Sequence, residues 1–144
     1  MNIPELLISL HINTLHSLRL IAKKNKLSIQ QILCIYSVPL DGITQTNLAD
    51  SLSIDVSTLS RNLNKLEAQN IIIRECLQSD ERFFKIFLTT YGKDLFQSIL
   101  NDLTSYIKTL KLSTASNDMQ NIVDSLLKLN WHMLKDKTNN VYSS

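Results

Sequence analysis

Thr44 and Asp55 each stand where a side-chain oxygen can cap the first turn of a helix. The apolar residues after them, Leu48, Ala49 and Leu52, then Leu59, Leu63 and Leu66, have the spacing of short amphipathic helices. Only Ser53 and Ile54 separate the two segments, so the chain must turn sharply between them. Ile54 is placed to staple Leu59 across the second cap. The second helix should end at Asn70, a residue that tolerates the left-handed backbone of a helix terminus. Two β-rich runs follow, Ile71 to Leu77 and Phe83 to Leu88, joined by the polar tip Gln78-Ser79-Asp80-Glu81-Arg82. Two capped helices about a tight turn, then a hairpin with a charged tip, make a helix-turn-helix with a β wing.

The flanks read as helices. Ile3 to Lys24 carries Ile3, Leu6, Leu7, Leu10, Leu15, Leu18 and Ile21 on an extended apolar face, with Lys23, Lys24 and Lys26 at the negative end of the helix dipole. Ser28 and Gln31 can form a capping box, with Leu27 stapling Ile32, for a helix running to about Ser37, where Pro39, Asp41 and Gly42 break it. Thr89 caps a long helix through Leu95, Phe96, Ile99, Leu100, Leu103, Tyr106, Ile107 and Leu110. A last one carries Met119, Ile122, Val123, Leu126, Leu127 and Leu134, and the polar tail from Lys135 is expected to fray. With two glycines and two prolines in 144 residues, little interrupts these helices. The expected fold class is mainly α with a small β-hairpin wing, 28–89 being the winged helix-turn-helix within a single domain, 1–144.

Composition excludes several classes. Apolar residues make up 44% and charged residues 19%, a globular and not a disordered profile. No run approaches the roughly 18 apolar residues of a membrane span, and the N-terminus lacks a signal-peptide pattern, so a cytoplasmic protein is expected. Cys34 and Cys76 lack metal or redox spacing and sit in apolar runs expected to bury them. His11, His16 and His132 offer no pair at helical metal spacing, so neither a metal nor a cofactor is expected. Nucleophile elbow, P-loop, dinucleotide-binding and HExxH patterns are all missing, which argues against an enzyme.

On a helical wheel Leu59, Leu63 and Leu66 face one way with Val56 near them, while Ser57, Arg61, Asn64, Lys65 and Ala68 face the other. A helix enters a DNA major groove only if its outward side chains are slim. Hydroxyls and amides can then read base edges, and Arg can pair with guanine through two hydrogen bonds. Ser57, Thr58, Ser60, Arg61, Asn64 and Lys65 are the candidate contacts, those of the N-terminal half foremost. The charge balance from Asp55 to Lys93 is thin for a phosphate-binding surface, six Lys and Arg against five Asp and Glu.

These residues resemble the MarR family of winged-helix transcriptional regulators. The likeness runs from Thr44-Gln45-Thr46-Asn47-Leu48-Ala49-Asp50-Ser51-Leu52 through Asp55-Val56-Ser57-Thr58-Leu59-Ser60-Arg61 and Leu66-Glu67 to Arg74, and closes on Leu88-Thr89. Its most specific mark is the D-x-R of the wing tip, here Asp80-Glu81-Arg82. The resemblance implies that Arg82 enters the minor groove while Asp80 holds the wing in position, in keeping with the negative potential of a narrow minor groove. Ser53 and Asn70 stand where the family often carries Gly; Asn70 is the more conservative stand-in on backbone grounds.

The resemblance further implies a sequence-specific double-stranded DNA-binding regulator, by family habit a repressor, in which 1–26 and 90–135 are dimerisation helices. The homodimer would meet a pseudo-palindromic operator with half-sites about one helical turn apart. The family also admits a small-molecule effector as a partner. Its oxidant sensors carry a cysteine in the first helix and its zinc sensors carry histidines in the helix after the wing; this chain has neither. Two other readings remain open: a winged-helix interaction or dimerisation module that no longer reads DNA, and an enzyme's dimerisation domain separated from its catalytic part.

Overall fold

The helix starts at Ile3, Ile29, Gln45, Val56 and Thr90 are each fixed by a side chain that accepts from an otherwise orphaned amide. In the computed structural model, which describes residues 2–76, 84–110 and 116–141, the order is α1 (Ile3–Lys24), α2 (Ile29–Ser37), α3 (Gln45–Leu52), α4 (Val56–Ala68), β1 (Ile72–Cys76), β2 (Phe84–Leu88), α5 (Thr90–Thr109) and α6 (Ser116–Val141). The capping box expected at Ser28 is present: the Gln31 amide donates to Ser28 Oγ at 3.1 Å and the Ser28 amide to Gln31 Oε1 at 2.8 Å. Thr44 caps α3 and Asp55 caps α4, each accepting from the amide three residues on. Asn2 and Glu5 form a further capping box on α1, not foreseen from the sequence, with both bonds at 3.0 Å.

The helix ends confirm the two departures as backbone positions. Ser53 lies at φ 55° and ψ 43°, the left-handed region, and the amides of Ser53 and Ile54 close α3 by donating to the carbonyls of Asp50 and Ala49. Asn70 lies at φ 57°, just past the end of α4.

The chain divides into two units, Met1–Tyr106 and Ile107–Ser144. The core belongs to the first. Ile21, Ile32 and Ile35 from α1 and α2, Leu48 from α3, Leu59, Leu63 and Leu66 from α4, Ile72 and Ile86 from the hairpin, and Ile99 from α5 form one buried cluster. Burying each such side chain stabilises by roughly 1.5–3 kcal/mol, so α4 is anchored mainly by its three leucines. Ile54 packs at the edge of this cluster, as the staple requires.

Strands β1 and β2 pair antiparallel, Ile72 opposite Leu88, Arg74 opposite Ile86 and Cys76 opposite Phe84. Ile43 adds a pairing not read from the sequence: its amide donates to the Ile86 carbonyl at 3.1 Å and its carbonyl accepts from the Ile86 amide at 2.8 Å. Gly42 makes this approach feasible, at φ +74°, where a Cβ would stand 2.5 Å from the Phe87 ring. Thr89 ties the hairpin to α5, its Oγ1 donating to the Asn70 carbonyl at 2.7 Å and accepting from the Gly92 amide at 2.9 Å. Gly92 in turn permits close packing, since a Cβ there would lie 2.1 Å from the Ile71 carbonyl oxygen.

Three expectations need correction. Val56, placed near the buried leucines on the wheel, is 47% exposed, because the first turn of α4 projects beyond the elements that cover Leu59. Cys76 is exposed, not buried, since it ends β1 away from the base of the hairpin. The tail from Lys135 does not fray at once: α6 runs on to Val141, elongating an existing helix being easier than nucleating one. The ends of the expected strands at Leu77 and Phe83, and the tip from Gln78 to Arg82, lie outside the described residues.

Candidate nucleic-acid interface

With Leu59, Leu63 and Leu66 fully buried, helical geometry turns the opposite side of α4 to solvent. Ser57, Arg61, Asn64 and Lys65 are exposed there, and Thr58 and Ser60 are half-buried beside them. Thus one rigid helix presents six of the sequence-derived candidates. The other two, Asp80 and Arg82, fall outside the described residues.

The N-terminal turn of this face is organised by Asp55. Ser57 Oγ and the Thr58 amide both donate to its Oδ1, the latter at 2.7 Å, and Thr58 Oγ1 donates to Oδ2 at 2.7 Å. The hydroxyls of Ser57 and Thr58, then the Thr58 amide, hold the Asp55 carboxyl far below the usual carboxylate range. A hydroxyl has one proton, and here both protons point at Asp55. Ser57 and Thr58 therefore offer outward lone pairs, suited to the amino group of adenine or cytosine and not to a phosphate oxygen.

Further along, α4 is fastened to the hairpin. Arg74 of β1 pairs through Nη1 with Glu67, and its Nη2 donates to Asn64 Oδ1 at 2.9 Å. Its guanidinium also stands 5.7 Å from the centre of the Phe84 ring. Sequence reasoning noted Arg74 only as part of a motif and gave it no task. The available signal was a cation two residues after Ile72, on the strand face that carries the core side chains.

Residues 27–83 match the family model described as "MarR family". This stretch, the winged helix, is similar to the MarR family. The match covers less than half of the chain. The "HTH-type transcriptional regulator SarZ" of Staphylococcus epidermidis is 34% identical over 79 residues, 55% of this chain and 52% of that one. The "Uncharacterized HTH-type transcriptional regulator YdgJ" of Bacillus subtilis is 22% identical over 89 residues, 62% of this chain and 54% of that one. The chain thus spans about half the length of the curated relatives it matches.

Fold similarity reaches further. The structure titled "Crystal Structure of MarR" superposes with a TM-score of 0.80 at 18% identity, covering 96% of this chain and 95% of that one. An S. aureus MepR mutant bound to oligodeoxyribonucleotide gives a TM-score of 0.63 at 20% identity, over 92% and 99% of the two chains. The MarR fold therefore extends over the flanking helices, whereas the family's sequence signature is confined to the winged helix.

Proposed function

We propose that the chain is a sequence-specific, double-stranded DNA-binding transcriptional regulator, a repressor, that inserts α4 into the major groove and the wing tip 78–82 into the minor groove. The observation that carries this reading is the solvent face of α4: slim polar side chains and Arg61 standing opposite three fully buried leucines. The match of residues 27–83 to the MarR family model supports it, as does the likeness in fold to a MepR mutant bound to an oligodeoxyribonucleotide. Asp80 and Arg82 enter the proposal through the sequence motif alone.

The proposed active species is a cytoplasmic homodimer built by 1–26 and 90–135, without catalytic activity. Its support is exposed apolar surface. On α1, Ile3 is 69% and Ile8 64% exposed; on α6, Leu127 is 61% and Trp131 56% exposed. Each of these helix faces needs covering, and a second copy of the chain would supply matching faces by symmetry. The operator is then pseudo-palindromic. A small-molecule effector that biases the dimer belongs to the same proposal.

The test is binding of the purified chain to its own upstream promoter DNA and to scrambled DNA across a range of salt. Specific binding whose log–log salt slope corresponds to several phosphates, at about 0.9 per phosphate, supports the reading. Arg61→Ala should relax preference at a defined base, and Arg82→Ala should weaken binding with modest loss of preference. Equal, weak binding to both DNAs would leave an interaction module that no longer reads DNA.

A further inference from the structure

Arg74 lies on the hairpin face that also carries Ile72 and, across the ladder, Ile86 and Leu88. Its side chain is only 20% exposed, packed between α4 and the Phe84 ring. The guanidinium is a rigid fork: one arm holds Glu67, and the other donates to Asn64 Oδ1 at 2.9 Å. Its Nε is buried with no hydrogen-bond partner among the described residues, so the head is held by the Glu67 and Asn64 contacts and the ring.

An arginine can only donate. The Asn64 carboxamide must therefore turn its oxygen toward Arg74, which directs its NH2 group away from the hairpin. We infer that Arg74 sets the hydrogen-bonding polarity of Asn64 and so determines which base this position reads, without itself touching DNA. An unconstrained asparagine reads adenine with both atoms, accepting from N6 and donating to N7. With its oxygen engaged by Arg74, Asn64 meets the groove as a donor. A donor suits guanine, which offers the two acceptors N7 and O6, or thymine O4, and forfeits the two-bond fit to adenine, of which only N7 is still met. Glu67 neutralises the guanidinium, which keeps Arg74 from acting as a phosphate contact. Arg74 is thus a positioning residue for specificity, an inference that rests on the DNA-binding reading of α4.

The experiment selects binding sites from a randomised double-stranded DNA library with the full chain, followed by sequencing. Parent, Arg74→Lys, Asn64→Ala and the double variant are compared. Lysine at position 74 keeps a charge for Glu67 but cannot reach Asn64 with a second arm, so the wing stays pinned while Asn64 is released. Thermal unfolding of each variant verifies that it is folded.

At one base pair of each half-site the parent should prefer guanine or thymine over adenine. Arg74→Lys should raise adenine by about tenfold there, the discrimination expected of one well-placed side-chain contact. Asn64→Ala should flatten preference at that same position, and adding Arg74→Lys to it should change nothing further.

If the parent discriminates among sequences but Arg74→Lys keeps every preference, or weakens all sites uniformly, the inference is overturned and Arg74 only stiffens the wing. A change that persists in the Asn64→Ala background overturns it as well. A parent without any sequence preference would remove the DNA-binding reading and this inference together.

Discussion

Lys26, Ser53 and Asn70 adopt left-handed backbone, at φ 55°, 55° and 57°. That conformation costs an ordinary L-residue roughly 1–2 kcal/mol, whereas glycine adopts it freely. Replacing such a residue by glycine relieves this cost but adds roughly 0.4–1 kcal/mol of unfolded-state entropy to be lost on folding. For Ser53→Gly the balance is a gain of about 0.5–1 kcal/mol. The Ser53 side chain is exposed, and its amide bond to the Asp50 carbonyl survives the change. Lys26→Gly should gain a similar amount, because Lys26 is also exposed. Asn70→Gly should gain least, asparagine being tolerated in this region. Urea denaturation at fixed protein concentration measures all three, the concentration being held because dimerisation shifts apparent stability. The thermal midpoint should rise by about 3 °C per kcal/mol gained. Gly42→Ala provides the opposite sign: at φ +74°, with a Cβ 2.5 Å from the Phe87 ring, it should lose more than about 1 kcal/mol. A less stable Ser53→Gly, or an Asn70→Gly gain as large as that of Lys26→Gly, would refute the backbone reasoning.

Burial pushes the Cys34 thiol up from 9.0 to about 11, so it should resist alkylation at neutral pH while exposed Cys76 reacts, as mass spectrometry of the native protein can show. The folded value lies above the unfolded one; the Cys34 contribution to stability is therefore intact below 9.0 and lost as pH rises through about 11, a decline absent from Cys34→Val. The depressed Asp55 carboxyl works in the other direction: its contribution is present above the ordinary carboxylate value of 3.8 and lost as pH falls through its lower folded value. Acid titration of stability should thus be flatter for Asp55→Asn, which can still cap, and identical profiles would contradict the cap network. Trp131, the single tryptophan, is 56% exposed in one chain, so its emission should shift to the red when the proposed dimer is diluted apart or broken by Leu126→Glu. Emission independent of concentration, with a monomer in sedimentation, would remove the dimer.

Most of what depends on neighbours along the chain was legible in advance, the Asn2–Glu5 capping box being an exception. Ser28 with Gln31, Thr44, Asp55 and Thr89 start their helices because the capping oxygen and its amide lie three residues apart, a distance set by helix geometry. Leu59, Leu63 and Leu66 announced the buried side of α4 by their period, and with it the polar face that would meet DNA. The same local logic failed for Val56 and Cys76. Period assigns a residue to a face, but only a distant element decides whether that part of the face is covered.

The sequence by itself determined the helix caps, the tight turn at Ser53 and the candidate face of α4, since each is a short-range consequence of side-chain chemistry. Tertiary structure alone decided that Ile43 would pair with Ile86, and that Arg74 would close on Glu67 and Asn64. The Arg74 contacts exist because packing α4 on β1 brings separate stretches of chain within hydrogen-bonding reach. No periodicity within either stretch encodes that meeting.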